Sequence, residues 1–293
     1  MKTIDPATLG SRAFYQYMTA AVAPRPIALA STIDKNGHVN LSPFSFFNYL
    51  GIDPPLVVFS PGRRGRDGSY KDTALNLMEV PEVVINMVTF DMVQQMSLSS
   101  AEYGRGVNEF EKAGFTMLPA ERIRPPRVAE SPAQFECRVL EIKEIGTMVL
   151  VIAEVVLAHF AENILDENGQ IDQTRTDWVA RLGGNWYARA SGEAIFEVPR
   201  PQPGIGVDAL PESIRFSKIL TGNDLGQLGS LTEFPMEEEI RAFSKTEKMQ
   251  SLREEARAGC RYLPDLLHDH AQHLMLEGKV AESLLTLLQT ELP

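Results

Sequence analysis

The chain has 293 residues, enough for a sizeable core and for one large domain with an appendage. A hydrophobic fraction of 44% excludes wholesale disorder, and a net charge of −11 argues against binding a nucleic-acid backbone. The two cysteines, Cys137 and Cys260, are too few for a disulfide framework or a cysteine-based metal site, and fit a reducing cytoplasm.

Met1–Ala20 carries Asp5, Arg12 and Tyr15 and has no apolar signal core; the spacing predicts a short helix over residues 6–20. Pro24 and Pro26 enforce extended backbone before a strand over Ile27–Ile33. Asp34–Lys35–Asn36–Gly37 is a hairpin turn in which Asn36 and Gly37 can take positive φ, so Val39–Phe44 should pair antiparallel with Ile27–Ile33. A third strand follows at Leu56–Ser60, then a short helix at Thr73–Glu79 that Asp72 or Thr73 is placed to cap. Val83–Val88 reads as a strand with one central amide, Asn86. Residues 91–101 and Glu109–Ala113 read as helical, and two long strands cover 133–145 and 149–159. Strands joined by hairpins, with few helices between them, indicate an antiparallel barrel and not a doubly wound sheet. The longest apolar run, Met148–Ala158, is interrupted by Glu154 and is too short to span a bilayer, so no membrane partner is expected. Pro199–Gly204 is a proline-rich linker, and residues 235–260 and 263–289 show helical periodicity. The expected domains are therefore 1–200 and a helical extension over 201–293.

Chemistry concentrates between residues 40 and 73. Asn40–Phe47 alternates hydroxyls with aromatics, and on one strand Phe44 and Phe46 would share a face opposite Ser45 and Phe47. A core strand explains the aromatics alone; Ser42 and Ser45 add the polar edge that a heteroaromatic ring needs. The loop over 61–73 holds Arg63, Arg64, Arg66 and Lys71 among glycines. A solvated basic loop fits that composition too, but Lys71, Asp72 and Thr73 at a helix start are what a phosphate monoester wants. Together the two stretches read as a nucleotide or flavin site; the pattern is not a P-loop. His268, His270 and His273 do not all share a helical face, and a polar helix surface explains them better than a metal.

In order and spacing, several pieces of residues 20–190 resemble the flavin reductase-like, FMN-binding split-barrel proteins. They are Pro24–Ile27, Asn40–Asn48, Asp53–Val57, Gly68–Asn76, Val84–Asn86, Glu109–Gly114, Pro125–Pro132 and Arg181–Tyr187. The resemblance implies a mainly β protein with peripheral helices, a six-stranded antiparallel split barrel that forms homodimers. It implies that Ser42, Pro43, Phe44, Ser45, Phe46 and Phe47 line the flavin ring, with Arg25 and Pro26 beside it. Ser60, Arg63, Lys71, Asp72 and Thr73 would hold the FMN phosphate, and Arg181 and Gly183 are weaker matches. The implied activity is an oxidoreductase passing hydride or electrons through bound FMN, with NAD(P)H as a donor. One departure bears on that donor: many family members place Gly-Asp-His where this chain has Gly146–Thr147–Met148. The alternative is an FMN store or electron carrier that does not turn over a nicotinamide.

Overall fold

The computed structural model describes residues 1–259 and 261–291, so the expectation for Cys260 lies outside the described residues. The chain forms two units, Met1–Phe196 and Glu197–Pro293, each with its own apolar cores.

In the first unit the helices are α1 (Pro6–Leu9), α2 (Ser11–Ala21), α3 (Asp72–Glu79), α4 (Val93–Leu98) and α5 (Glu109–Ala113). The strands are β1 (Arg25–Pro26), β2 (Ala28–Ile33), β3 (Val39–Phe44), β4 (Phe47–Ile52), β5 (Pro55–Phe59), β6 (Glu82–Met87), β7 (Met117–Leu118), β8 (Arg127–Val128), β9 (Ala133–Ile145), β10 (Met148–Phe160), β11 (Trp178–Arg181) and β12 (Tyr187–Ala190). Seven of them form one antiparallel sheet in the order β3-β2-β6-β9-β10-β5-β4. A second sheet holds β1, β11 and β12, and β7 pairs with β8.

The two edges of the large sheet, β3 and β4, are consecutive in the chain, with only Ser45 and Phe46 between them. The sheet therefore curls back on itself and stays open along that seam, which is a split barrel. Its ladder has seven strands where six were expected. The additional one is β4, because the single strand expected over residues 42–47 breaks at a bend. The break also separates the two phenylalanines: Phe44 is 5% exposed in the core and Phe46 is 37% exposed.

Strand β2 shows how the sequence encodes two layers. Ala28 and Ala30 point into the barrel with Phe44, Phe59, Ile85 and Val151. Ile27 and Leu29 point out, under Met96 of α4 and Phe110 of α5. Both faces are covered, so β2 is buried along its whole length. The lone amide of the 83–88 strand has a structural task. Asn86 Nδ2 donates to Leu29 O (2.9 Å) and Asn86 Oδ1 accepts from Val128 N (2.9 Å), joining β2, β6 and β8.

Two local expectations are corrected. In the 34–38 turn only Gly37 has positive φ (87°); the Asp34 carboxylate fixes the loop by accepting from the N–H groups of Asn36 and His38. At α3 the N-cap position is Lys71, without a side-chain cap bond, and Asp72 and Thr73 lie in the first turn. Their side chains are otherwise engaged. Asp72 takes the Arg64 guanidinium (2.8 Å) and Thr73 Oγ1 accepts from Asn40 Nδ2 (2.9 Å).

In the second unit the helices are α6 (Glu212–Arg215), α7 (Gly222–Gly229), α8 (Glu237–Phe243), α9 (Glu247–Arg257), α10 (Leu263–Leu276) and α11 (Val280–Leu287). The two long periodic stretches are each broken in the middle. Thr246 starts α9 by accepting from Met249 N, and Gly278, at φ 77°, separates α10 from α11. Among the described residues no helix is long and apolar enough to cross a membrane.

Candidate functional site

A cavity of about 940 Å³ opens at the seam of the barrel. One wall is α2, through Tyr15, Met18 and Thr19; opposite it stand Phe44, Ser45 and Phe46. The floor is the end of β5, where Ser60 N donates to Phe46 O (2.8 Å) and ties the bend to the neighbouring strand. Thr147 and Met148, at the β9–β10 turn, close the rim.

Helix α2 is held against the seam by Arg25. Its guanidinium donates to Thr19 O (2.6 Å), Val22 O (2.5 Å) and Leu182 O (3.1 Å). Those carbonyls include ones that the end of α2 leaves without partners, and a cation suits that end of the helix dipole.

Ser60 Oγ, Arg63 Nε and the Lys71 ammonium on the cavity lack a counterpart among the described residues. Ser60 is 6% exposed, and its Oγ has no hydrogen-bond partner. The half-buried Lys71 ammonium pairs with no carboxylate and stands 5.2 Å over the Phe44 ring. Burial, and after it the positive charge of Arg64, lowers the Lys71 pKa, with Glu102 opposing. A buried hydroxyl and a desolvated cation without partners are costly unless something else answers them. Arg63 is answered only in part: its Nη2 pairs with Glu144 (2.5 Å) and Tyr70 OH (2.9 Å), the hydrogen bond to Glu144 raises its pKa, and its buried Nε has no partner among the described residues. Aromatic walls, a spare hydroxyl and a spare cation fit a flat ring that carries an anionic tail.

The cavity gathers Arg25, Pro43, Phe44, Ser45, Phe46, Ser60, Arg63 and Lys71. Ser42, Asp72 and Thr73 line a smaller space of about 90 Å³ that shares Lys71. Arg181 and Gly183 line a third, of about 800 Å³, that shares Arg25 and Ser45 with the first. Pro26 and Phe47 line none of these: Pro26 pairs with Ala180 in β1–β11, and Phe47 packs on the barrel core. Tyr15, Met18 and Thr19 were not legible as site residues, because on an amphipathic helix they read as an ordinary apolar face.

Gly183 is required by close packing, since a Cβ there would sit 2.9 Å from Ala20 Cβ. Gly183→Ala should destabilise the first unit by about 1–3 kcal/mol. A urea denaturation midpoint equal to that of the unsubstituted protein would show instead that α2 moves aside freely.

Fold and seam define a split-barrel protein. The chain matches the flavin reductase like domain over residues 20–175. An uncharacterized protein of Aquifex aeolicus is 36% identical over 184 residues, covering 63% of this chain and 93% of its own. Nitrilotriacetate monooxygenase component B from Bacillus cereus is 30% identical, with a TM-score of 0.64 over 68% of this chain and 98% of its own. The 2-nitrobenzoate 2-nitroreductase of Pseudomonas fluorescens is 31% identical, with a TM-score of 0.62 over 70% of this chain and 100% of its own. The chain belongs to the flavin reductase-like family.

Proposed function

We propose that the protein is an oxidoreductase that uses FMN bound in the seam cavity. The observation that carries this reading is the pair of unanswered groups, Ser60 Oγ and Lys71 Nζ, facing one cavity with aromatic walls. In this reading Phe44 and Phe46 pack on the ring, while Ser45 and nearby backbone groups meet its polar edge. Lys71 neutralises the phosphate and Ser60 donates a hydrogen bond to the tail. Bound FMN would supply the hydride and electron chemistry, and the protein's part is to bind, orient and shield it. Membership of the family supports a flavin, and similarity to a nitroreductase and to a monooxygenase component supports an oxidoreductase. The protein is proposed to act as a homodimer, with NAD(P)H as donor.

A second reading, an FMN store or electron carrier without nicotinamide turnover, is favoured by one feature. Where the family resemblance implies a histidine, this chain has Thr147–Met148 on the cavity, which offers no ring nitrogen.

The test is the absorption spectrum of the purified protein and of the flavin released from it by heat, run against FMN and FAD. FMN bands, with retention of added FMN, are the expected result. A colourless protein that ignores added FMN removes the proposal. Anaerobic mixing with NADH or NADPH then separates enzyme from carrier.

A further inference from the structure

We propose that residues 62–70 form a strap at the mouth of the seam cavity, and that Glu144 on β9 is the latch that holds it closed. As a control on FMN exchange this rests on the reading above; as a movable strap it stands on its own hydrogen bonds.

The segment between β5 and α3 is built as one piece. Gly62 and Gly68 have positive φ (64° and 71°), and Arg63 pairs antiparallel with Tyr70, which folds the chain between them into a narrow tongue. Inside the tongue Arg64 N donates to Ser69 O (2.7 Å), Gly68 N to Arg64 O (2.9 Å) and Ser69 N to the Asp67 carboxylate (2.9 Å). Its Gly62, Arg63 and Gly65 line the seam cavity.

Arg63 and Tyr70 meet on a single carboxylate. Arg63 Nη2 donates to Glu144 Oε2 (2.5 Å), Tyr70 OH donates to Glu144 Oε1 (2.5 Å), and the Arg63 guanidinium stands 4.1 Å from the Tyr70 ring centre. Glu144 is the ladder partner of Val149, beside the β9–β10 turn whose Thr147 and Met148 also stand on the rim of the cavity. The carboxylate thus ties two segments of the rim together across 74 residues of chain.

The remaining ties of the tongue among the described residues are local, loose or apolar. Arg64 pairs with Asp72 at its base (2.8 Å), Arg66 approaches Glu102 only to 3.8 Å, and the Tyr70 ring packs against the barrel core. The Arg63–Glu144 pair is itself partly in water, with side chains 26% and 45% exposed, so it biases the closed position without fixing it. A gate needs that shallow bias, because it must open within the time of one exchange.

The experiment uses the full-length protein with Glu144→Gln, which removes the charge, and Tyr70→Phe, which removes the hydroxyl and keeps the ring. Flavin fluorescence gives the association rate on rapid mixing with FMN and the release rate on dilution of the loaded protein. Each variant should raise both rates about fivefold and change Kd by less than either, and the double variant should go no further than the single ones. Faster release with unchanged association would make Arg63 and Glu144 plain ligand contacts and overturn the gate, as would unchanged rates. Hydrogen exchange of residues 62–70 in the flavin-free protein reads the strap directly, and it should quicken about fivefold in both variants while the urea midpoint stays put. Unchanged exchange there overturns the strap. Faster exchange in a protein that ignores FMN removes only the flavin reading; FMN binding with unchanged rates and unchanged exchange removes only this proposal.

Discussion

Glu136→Ala should destabilise the first unit by about 3–5 kcal/mol, the largest loss expected from any single side chain described here. Glu136 is fully buried on β9. Its carboxylate accepts from the backbone N–H groups of Glu121 (2.8 Å) and Arg122 (2.7 Å), and its Oε1 lies 2.8 Å from His159 Nε2 on β10. Truncation leaves two amides and an imidazole facing a void, each costing about 1–3 kcal/mol if unanswered. Burial pushes the Glu136 pKa up, but the Glu121 amide, His159 and the Arg122 amide together outweigh it and hold the carboxyl below the ordinary range. A depressed folded-state pKa makes the contribution complete above the ordinary glutamate range and lost as pH falls through the depressed value. Denaturant titrations across that acid window should show a steeper fall for the unsubstituted protein than for Glu136→Gln. A loss below about 1 kcal/mol in the alanine variant would assign the 119–124 loop to its other anchors, the Arg122 bond to Val156 O (2.7 Å) and the Arg124–Glu82 pair (2.9 Å).

Lys71→Ala should weaken FMN by about ten- to a hundredfold, the range set by one hydrogen bond to a charged group. The lysine is half-buried, so the substitution also removes a desolvated charge, and the empty protein should keep its stability or gain some. The proton dependence gives the effect its signature. The Lys71 pKa is lowered, first by burial, so the cation is lost at a pH below that of an ordinary lysine. FMN affinity of the unsubstituted protein should then fall as pH rises through that lowered value, while the Lys71→Ala curve stays flat across it. Identical curves for the two proteins would take the phosphate away from Lys71. The Arg64–Asp72 pair limits a compensating role for Arg64, because its Nη2 is already held at 2.8 Å.

Hairpins and long strands were legible because their signals are local. The turn at Asp34–Gly37 and the alternation over 133–160 lead directly to β2–β3 and β9–β10. Strand β4 was not legible: Ser45 and Phe46 continue the alternation of 40–44, and only the tertiary bond from Ser60 N to Phe46 O shows the chain turning there. The cap of α3 failed for a related reason. Asp72 and Thr73 have the right chemistry, but Arg64 and Asn40, 8 and 33 residues away, claim it first. Within the candidate site, Ser60 and Lys71 could be named from residue type beside a strand end and a helix start. That both would lack a partner is a property of packing, and no spacing carries it. The helical unit shows the converse. Its apolar positions were readable, with Met249, Leu252, Leu267 and Leu284 all buried, yet the breaks near 244 and 278 were masked by continuous periodicity.

The bend at Ser45 and Phe46 joins the two free ends of the barrel ladder and is at the same time a wall of its main cavity. A molecule seated there touches the end of β3, the bend itself and the end of β5, and so acts as a clasp. Its binding energy adds to the energy of the closed fold and grows with the logarithm of its concentration. Scarcity of that molecule would then be felt first as a shorter lifetime of the polypeptide, before any loss of turnover per folded copy. Abundance of the protein would follow the supply of what it holds.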